Sequence, residues 1–119
     1  MDDMMKGRIL YAIKEGARFF TEIQEKANVS PSTLSKYLRE LERDGLLVVE
    51  LDRNRRKPFY RLNEERKNEI KRLINVYVSN EVKETKEKLT FVSKLPTLDE
   101  EDRKMIEELI KKLEKYESR

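Results

Sequence analysis

At 119 residues, 37% of them hydrophobic and 43% charged, the chain fits one domain or a small head with an extension, and so thin an apolar fraction calls for amphipathic elements around a small core. The absence of cysteine and histidine excludes disulfides, zinc fingers, thiol nucleophiles and imidazole acid–base chemistry, and no metal or other cofactor is expected. The net charge of +3 lies wholly in residues 1–62, which hold 13 basic and 10 acidic side chains against 14 and 14 in residues 63–119.

Asp2 or Asp3 is expected to cap a first helix that places Met5, Ile9, Ala12 and Ile13 on one face and stops at Gly16. Ala17 to Phe20 is too short for a helix and reads as an extended segment leading into Thr21. Helix two then runs to about Ala27, with Phe20, Ile23 and Ala27 facing inward at i, i+3 and i+7, and Asn28 ends it. Ser30-Pro31 is a strong helix start, because a serine hydroxyl caps free backbone N–H groups and proline is pre-set for the first helical position. Helix three continues to Asp44 on Leu34, Leu38 and Leu41, and Gly45 supplies a left-handed stop. Leu46 to Leu51 and Pro58 to Leu62 read as a hairpin across the polar, mostly cationic stretch Asp52 to Lys57.

From Asn63 the pattern predicts one helix of about 30 residues, with no glycine or proline before Pro96. Val78, Val82, Thr85, Leu89 and Val92 alternate spacings of four and three, the repeat of a coiled-coil seam, so this stripe needs a partner. Thr97 or Asp99 starts a last helix whose apolar face is Met105, Ile106, Leu109, Ile110, Leu113 and Tyr116. Two antiparallel helices joined near Pro96 are expected, and the spacing leaves open whether they pair within a chain or between chains. Val78, Val82, Leu89, Val92, Ile106, Leu109 and Leu113 are the residues expected at a homodimer interface. No apolar run approaches the length of a membrane helix and no secretory leader is evident, so a soluble, cytoplasmic protein without a membrane partner is expected. Abundant Lys and Glu without cysteine fits a thermophilic source.

Helix, short strand, helix, turn, helix and hairpin fill residues 1–62 with little spare chain, which is a winged helix-turn-helix layout. The stretches Phe20-Thr21-Glu22-Ile23-Gln24, Val29-Ser30-Pro31-Ser32-Thr33-Leu34-Ser35 and Leu38-Arg39-Glu40-Leu41-Glu42-Arg43-Asp44-Gly45-Leu46-Leu47 resemble the winged helix regulators of the HxlR, ArsR and MarR kinds, archaeal ones included. The resemblance covers about half the chain and marks the fold more firmly than any one family. It implies a mainly α fold with a small β-hairpin wing, in which 1–62 is the DNA-binding domain and 63–119 a helical, coiled-coil-like dimerisation extension. The function implied is that of a sequence-specific, double-stranded DNA-binding transcription regulator acting as a homodimer. The chain departs from the thiolate metal sensors of the ArsR kind by lacking cysteine and histidine, and thiol redox sensing is excluded in the same way. Any small-molecule effector would sit near Tyr77, Phe91 or Tyr116, residues that read more simply as core, and no ligand is assigned.

The arrangement suits DNA because a helix fits the major groove while a wing reaches phosphates. With its leucines inward, helix three turns Ser32, Lys36, Arg39 and Arg43 outward, beside Ser30, Thr33 and Ser35. The bland alternative is that the serines are merely solvated and that Arg39 and Arg43 pair with Glu40, Glu42 or Asp44. In the wing, Arg53, Arg55, Arg56 and Lys57 put four cations in five residues, which repel one another unless an anion or solvent relieves them. The alternative there is a solvated loop. A rival function is a winged-helix protein-interaction module of transcription or replication machinery. An enzyme is not expected, since no nucleophile–base pair, metal cluster or phosphate-cradling glycine loop occurs.

Overall fold

A computed structural model describes residues 2–117. Among them run helix α1 (Asp2–Lys14), helix α2 (Phe20–Ala27), helix α3 (Pro31–Arg43), strand β1 (Leu47–Asp52), strand β2 (Lys57–Leu62), a 3-10 turn (Glu64–Arg66), helix α4 (Lys67–Ser93), helix α5 (Glu100–Leu113) and a final 3-10 turn (Glu114–Tyr116). The strands form an antiparallel hairpin in the register Leu47 to Leu62 through Asp52 to Lys57. The order is mainly α with one small β-hairpin, as the sequence predicts.

Two boundaries differ from expectation. Helix α1 already includes Asp2 and Asp3, so neither precedes it as a cap. Phe20 is helical too, because the Glu22 carboxylate reaches back to accept the backbone N–H groups of Arg18 (3.0 Å) and Phe19 (3.3 Å) and so fixes the start of α2 one residue early. The remaining extended piece is tied to the hairpin, since the Tyr60 N–H donates to the Arg18 carbonyl at 2.8 Å.

The chain divides into two compact units, one up to Tyr77 and one from Val78 onward. The first has an apolar core in which Ile9, Leu10, Ile13, Ile23, Leu34, Leu41 and Leu73 are the largest fully buried side chains. The first turns of α4 belong to it, through Ile70, Leu73 and Ile74, so this compact unit extends past Leu62. Gly7 permits the close passage of α1 and α4: a Cβ there would stand 2.0 Å from the Leu73 carbonyl oxygen. Tyr11 and Tyr77 pack at the same seam with ring centroids 5.8 Å apart.

The second unit holds the rest of α4 with α5. Arg103 donates to the carbonyls of Ser93 (2.8 Å) and Leu95 (2.9 Å) and thereby closes the free end of α4. Lys86 pairs with Glu114 at 3.8 Å and with Glu117, and the Ser79 hydroxyl donates to the Glu117 carbonyl. The pairing of late α4 with early α5, and of earlier α4 with the chain after α5, makes the two helices antiparallel partners within one chain. Contact with Glu117 holds the Lys86 ammonium above its ordinary pKa. Among the described residues of this unit only Ser93 is buried.

Candidate nucleic-acid interface

Helix α3 begins where its sequence demands. Ser30 is the N-cap, its Oγ accepting the Thr33 N–H at 3.2 Å and donating to the Thr33 hydroxyl at 2.8 Å, with Pro31 at the first helical position. Ser30 and Thr33 are thus occupied in starting the helix. The Ser32 hydroxyl lies 3.4 Å from that of Ser30 and remains exposed, whereas Ser35 is half-buried. With Leu34, Leu38 and Leu41 buried, Ser32, Lys36, Arg39 and Arg43 form the outer face, a line about 16 Å long.

The charges on this face are uncompensated. Glu40 and Asp44 face Lys6 of α1 at 3.7 and 3.6 Å, and Glu42 is exposed and makes no ion pair among the described residues. Arg39 and Arg43 make no ion pair among the described residues, and Lys36 lies 5.2 Å from the ring centre of its neighbour Tyr37. The alternative in which the arginines are neutralised along their own helix is therefore not the arrangement seen.

The wing is a turn built by Asp52. Its carboxylate accepts the Arg55 N–H at 2.9 Å and its carbonyl accepts the Arg56 N–H at 2.6 Å, which carries Arg56 into the left-handed region at φ +54°. Arg53, Arg55, Arg56 and Lys57 are all exposed. They are not equivalent. Arg55 pairs with Glu22 at 3.8 Å, and its guanidinium carbon stands 4.5 Å from the centre of the Phe19 ring. Phe19 meets Phe59 of β2 edge to face, with centroids 5.6 Å apart. Arg61, farther along β2, pairs across the hairpin with Glu50 at 3.2 Å. Arg53, Arg56 and Lys57 make no ion pair among the described residues.

Neither Glu22 nor Phe19 was expected at the interface from the sequence. A glutamate at the third helical position is a readable capping signal, but nothing in the spacing connects it to an arginine across the hairpin turn. The backbone N–H groups of Arg18 and Phe19, aided by Arg55, hold the Glu22 carboxyl below its ordinary pKa.

In the second unit Val82, Leu89, Val92, Ile106 and Leu113 are half-buried, while Val78 and Leu109 are exposed. Phe91, Met105 and Tyr116 are exposed as well, at 69%, 68% and 49%. Helix α5 is thus apolar on two sides, one shielded and one open to solvent. No group of acidic residues suited to a metal ion occurs among the described residues, and no helix among them is long and apolar enough to cross a membrane.

A helix-turn-helix made by α2 and α3, followed at once by a hairpin with a cationic turn, defines a winged helix-turn-helix protein. Residues 6–48, from α1 into β1, match the model of the bacterial regulatory protein, arsR family. Solved structures share the fold. A MarR family transcriptional regulator from Silicibacter pomeroyi is 20% identical with a TM-score of 0.57, over 92% of this chain and 68% of that one. BpsR of Bordetella bronchiseptica, whose DNA binding is regulated by 6-hydroxynicotinic acid, is 16% identical with a TM-score of 0.56, over 92% and 73%. MepR of Staphylococcus aureus, solved in complex with DNA, is 23% identical with a TM-score of 0.50, over 96% and 76%. No curated protein matches the chain. The chain therefore resembles the ArsR and MarR kinds of winged helix transcription regulator, and the matching family is one of regulatory proteins, not of enzymes.

Proposed function

We propose that the protein is a sequence-specific, double-stranded DNA-binding transcription regulator of the cytoplasm, working as a homodimer with α3 in the major groove and the wing on phosphates. The observation that carries this reading is the set of cations without acidic partners on α3 (Lys36, Arg39, Arg43) and in the wing (Arg53, Arg56, Lys57), while Glu40, Asp44, Glu22 and Glu50 pair with other cations. A polyanion relieves that repulsion. Ser32 and Ser35, short donors at the start of α3, suit base edges. MepR, which shares the fold, has been solved with DNA. Dimerisation is supported by the second unit, where Val78, Phe91, Met105, Leu109 and Tyr116 leave apolar surface uncovered although the helices already pair within the chain.

Selection of duplexes from a random pool at moderate salt, followed by titration of the selected sequence, tests the reading. A two-fold site with half-sites about one DNA turn apart is expected. Three wing cations meeting phosphates give a slope of log affinity against log salt of about −3 per subunit from the wing. Alanine at Lys36 shifts sequence preference, whereas alanine at Arg56 weakens all sequences alike. A salt slope near zero refutes DNA binding, and a monomer in sedimentation at high concentration refutes the dimer.

A further inference from the structure

We propose that Arg55 is a positioning residue of the wing and not one of its phosphate contacts, an inference that deepens the DNA-binding reading above and rests on it. Sequence alone treats Arg53, Arg55, Arg56 and Lys57 as one cationic patch. In the fold the Arg55 side chain turns back to the body of the protein. Its guanidinium lies over the face of Phe19 at 4.5 Å and reaches the Glu22 carboxylate at 3.8 Å. One guanidinium serves both partners at once, its charge attracted to the ring face and to the carboxylate.

Each partner is itself fixed. Phe19 is 9% exposed and is braced edge to face by Phe59 of the opposite strand. Glu22 is held by the two backbone N–H groups it caps. The segment bearing Phe19 is tied to β2 by the bond from Tyr60 to Arg18. At the other end, the Arg55 N–H is bound by Asp52, so both backbone and side chain of this one residue are secured. The wing is thereby pinned to the start of α2, the first helix of the helix-turn-helix. Its remaining cations, Arg53, Arg56 and Lys57, project without ion-pair partners among the described residues. A pinned wing presents those three in a fixed array and avoids ordering a mobile loop on binding.

The two roles give different signatures. A phosphate contact depends on charge, so lysine replaces arginine well and alanine lowers the salt slope by about 1. A positioning arginine depends on its plane and its partners, so lysine fails and the slope stays unchanged. Duplex affinity at several salt concentrations is measured for wild type, R55A, R55K, E22Q and R56A, together with amide hydrogen exchange over residues 53–57 of the free proteins. E22Q removes the charge while leaving an oxygen to accept the N–H groups of Arg18 and Phe19. R55A and R55K are each expected to weaken binding about three- to tenfold, and E22Q about two- to fivefold, at unchanged slope, with faster exchange in the wing. R56A is expected to lower the slope by about 1. Full affinity in R55K with a lowered slope in R55A overturns the proposal and makes Arg55 a phosphate contact. If wild type binds no duplex, the DNA reading fails by itself, and unchanged wing exchange in both R55A and E22Q then overturns the pinning independently.

Discussion

Replacing Gly7 with alanine is expected to destabilise the protein, although the same change in an ordinary helix stabilises it. Alanine is favoured over glycine inside a helix by about 1 kcal/mol. Against that stands the geometry of the α1–α4 seam, where the new Cβ would lie 2.0 Å from the Leu73 carbonyl oxygen, 2.8 Å from its carbon and 3.0 Å from the Tyr77 Cβ. The first two obstacles are backbone and no rotamer change clears them. Ordinary contact begins near 3.4 Å, so the helices must part by about 1.4 Å, or one must bend. Ile9, Leu10 and Ile13 on α1 and Ile70, Leu73 and Ile74 on α4 are 6% exposed or less, so parting the helices opens part of the buried core of the unit. Overpacking of this kind costs about 1–3 kcal/mol, and a backbone obstacle belongs at the upper end. The net expectation is a loss of about 1–2 kcal/mol, read as a lower urea midpoint at fixed protein concentration, since a dimer makes stability concentration-dependent. An unchanged or raised midpoint would refute the close approach of α1 and α4.

Leu41→Ala removes a fully buried side chain between α3 and the core and is expected to lower unfolding free energy by about 2–5 kcal/mol in the same urea assay. Met105→Glu combined with Leu109→Glu adds charge only to the open side of α5; if the proposed homodimer uses that side, a shift toward monomer in sedimentation with unchanged helical circular dichroism is expected, and an unaltered sedimentation profile would rule that side out as the interface. Because the Glu22 carboxyl is held below its ordinary value of 4.5, its stabilisation of α2 is complete above that pH and disappears as pH falls through the lowered value. The amide NMR signals of Arg18 and Phe19 should therefore titrate with a midpoint below 4.5, a titration that Glu22→Gln abolishes and that a midpoint at or above 4.5 would contradict.

Local punctuation made much of the first unit legible. Ser30-Pro31 and Asp44-Gly45 bracket α3 because a cap hydroxyl, a helix-ready proline and a left-handed stop act within one turn of the chain. The leucine spacing likewise predicted which face of α3 is buried. Asp2 and Asp3 misled because an aspartate suits both the cap and the first turn of a helix. That Ile70, Leu73 and Ile74 belong with the first core was hidden by the continuity of α4, whose helical pattern contains no break at Tyr77. The cationic run of the wing was plain, but its division into paired and unpaired members was not. Glu50 meets Arg61 only through strand register, and Glu22 meets Arg55 only through the packing of Phe19 on Phe59.

The left-handed backbone at Arg56 gives the wing an evolutionary constraint of its own. An L-residue with a long side chain loses about 1 kcal/mol or more at φ +54°, whereas glycine occupies that region freely. Selection for stability alone would drive this position toward glycine. On the proposed DNA-binding reading a cation persists there only while its charge outweighs the strain, so a relative that binds no polyanion should drift to glycine at this site first and keep the rest of its hairpin intact.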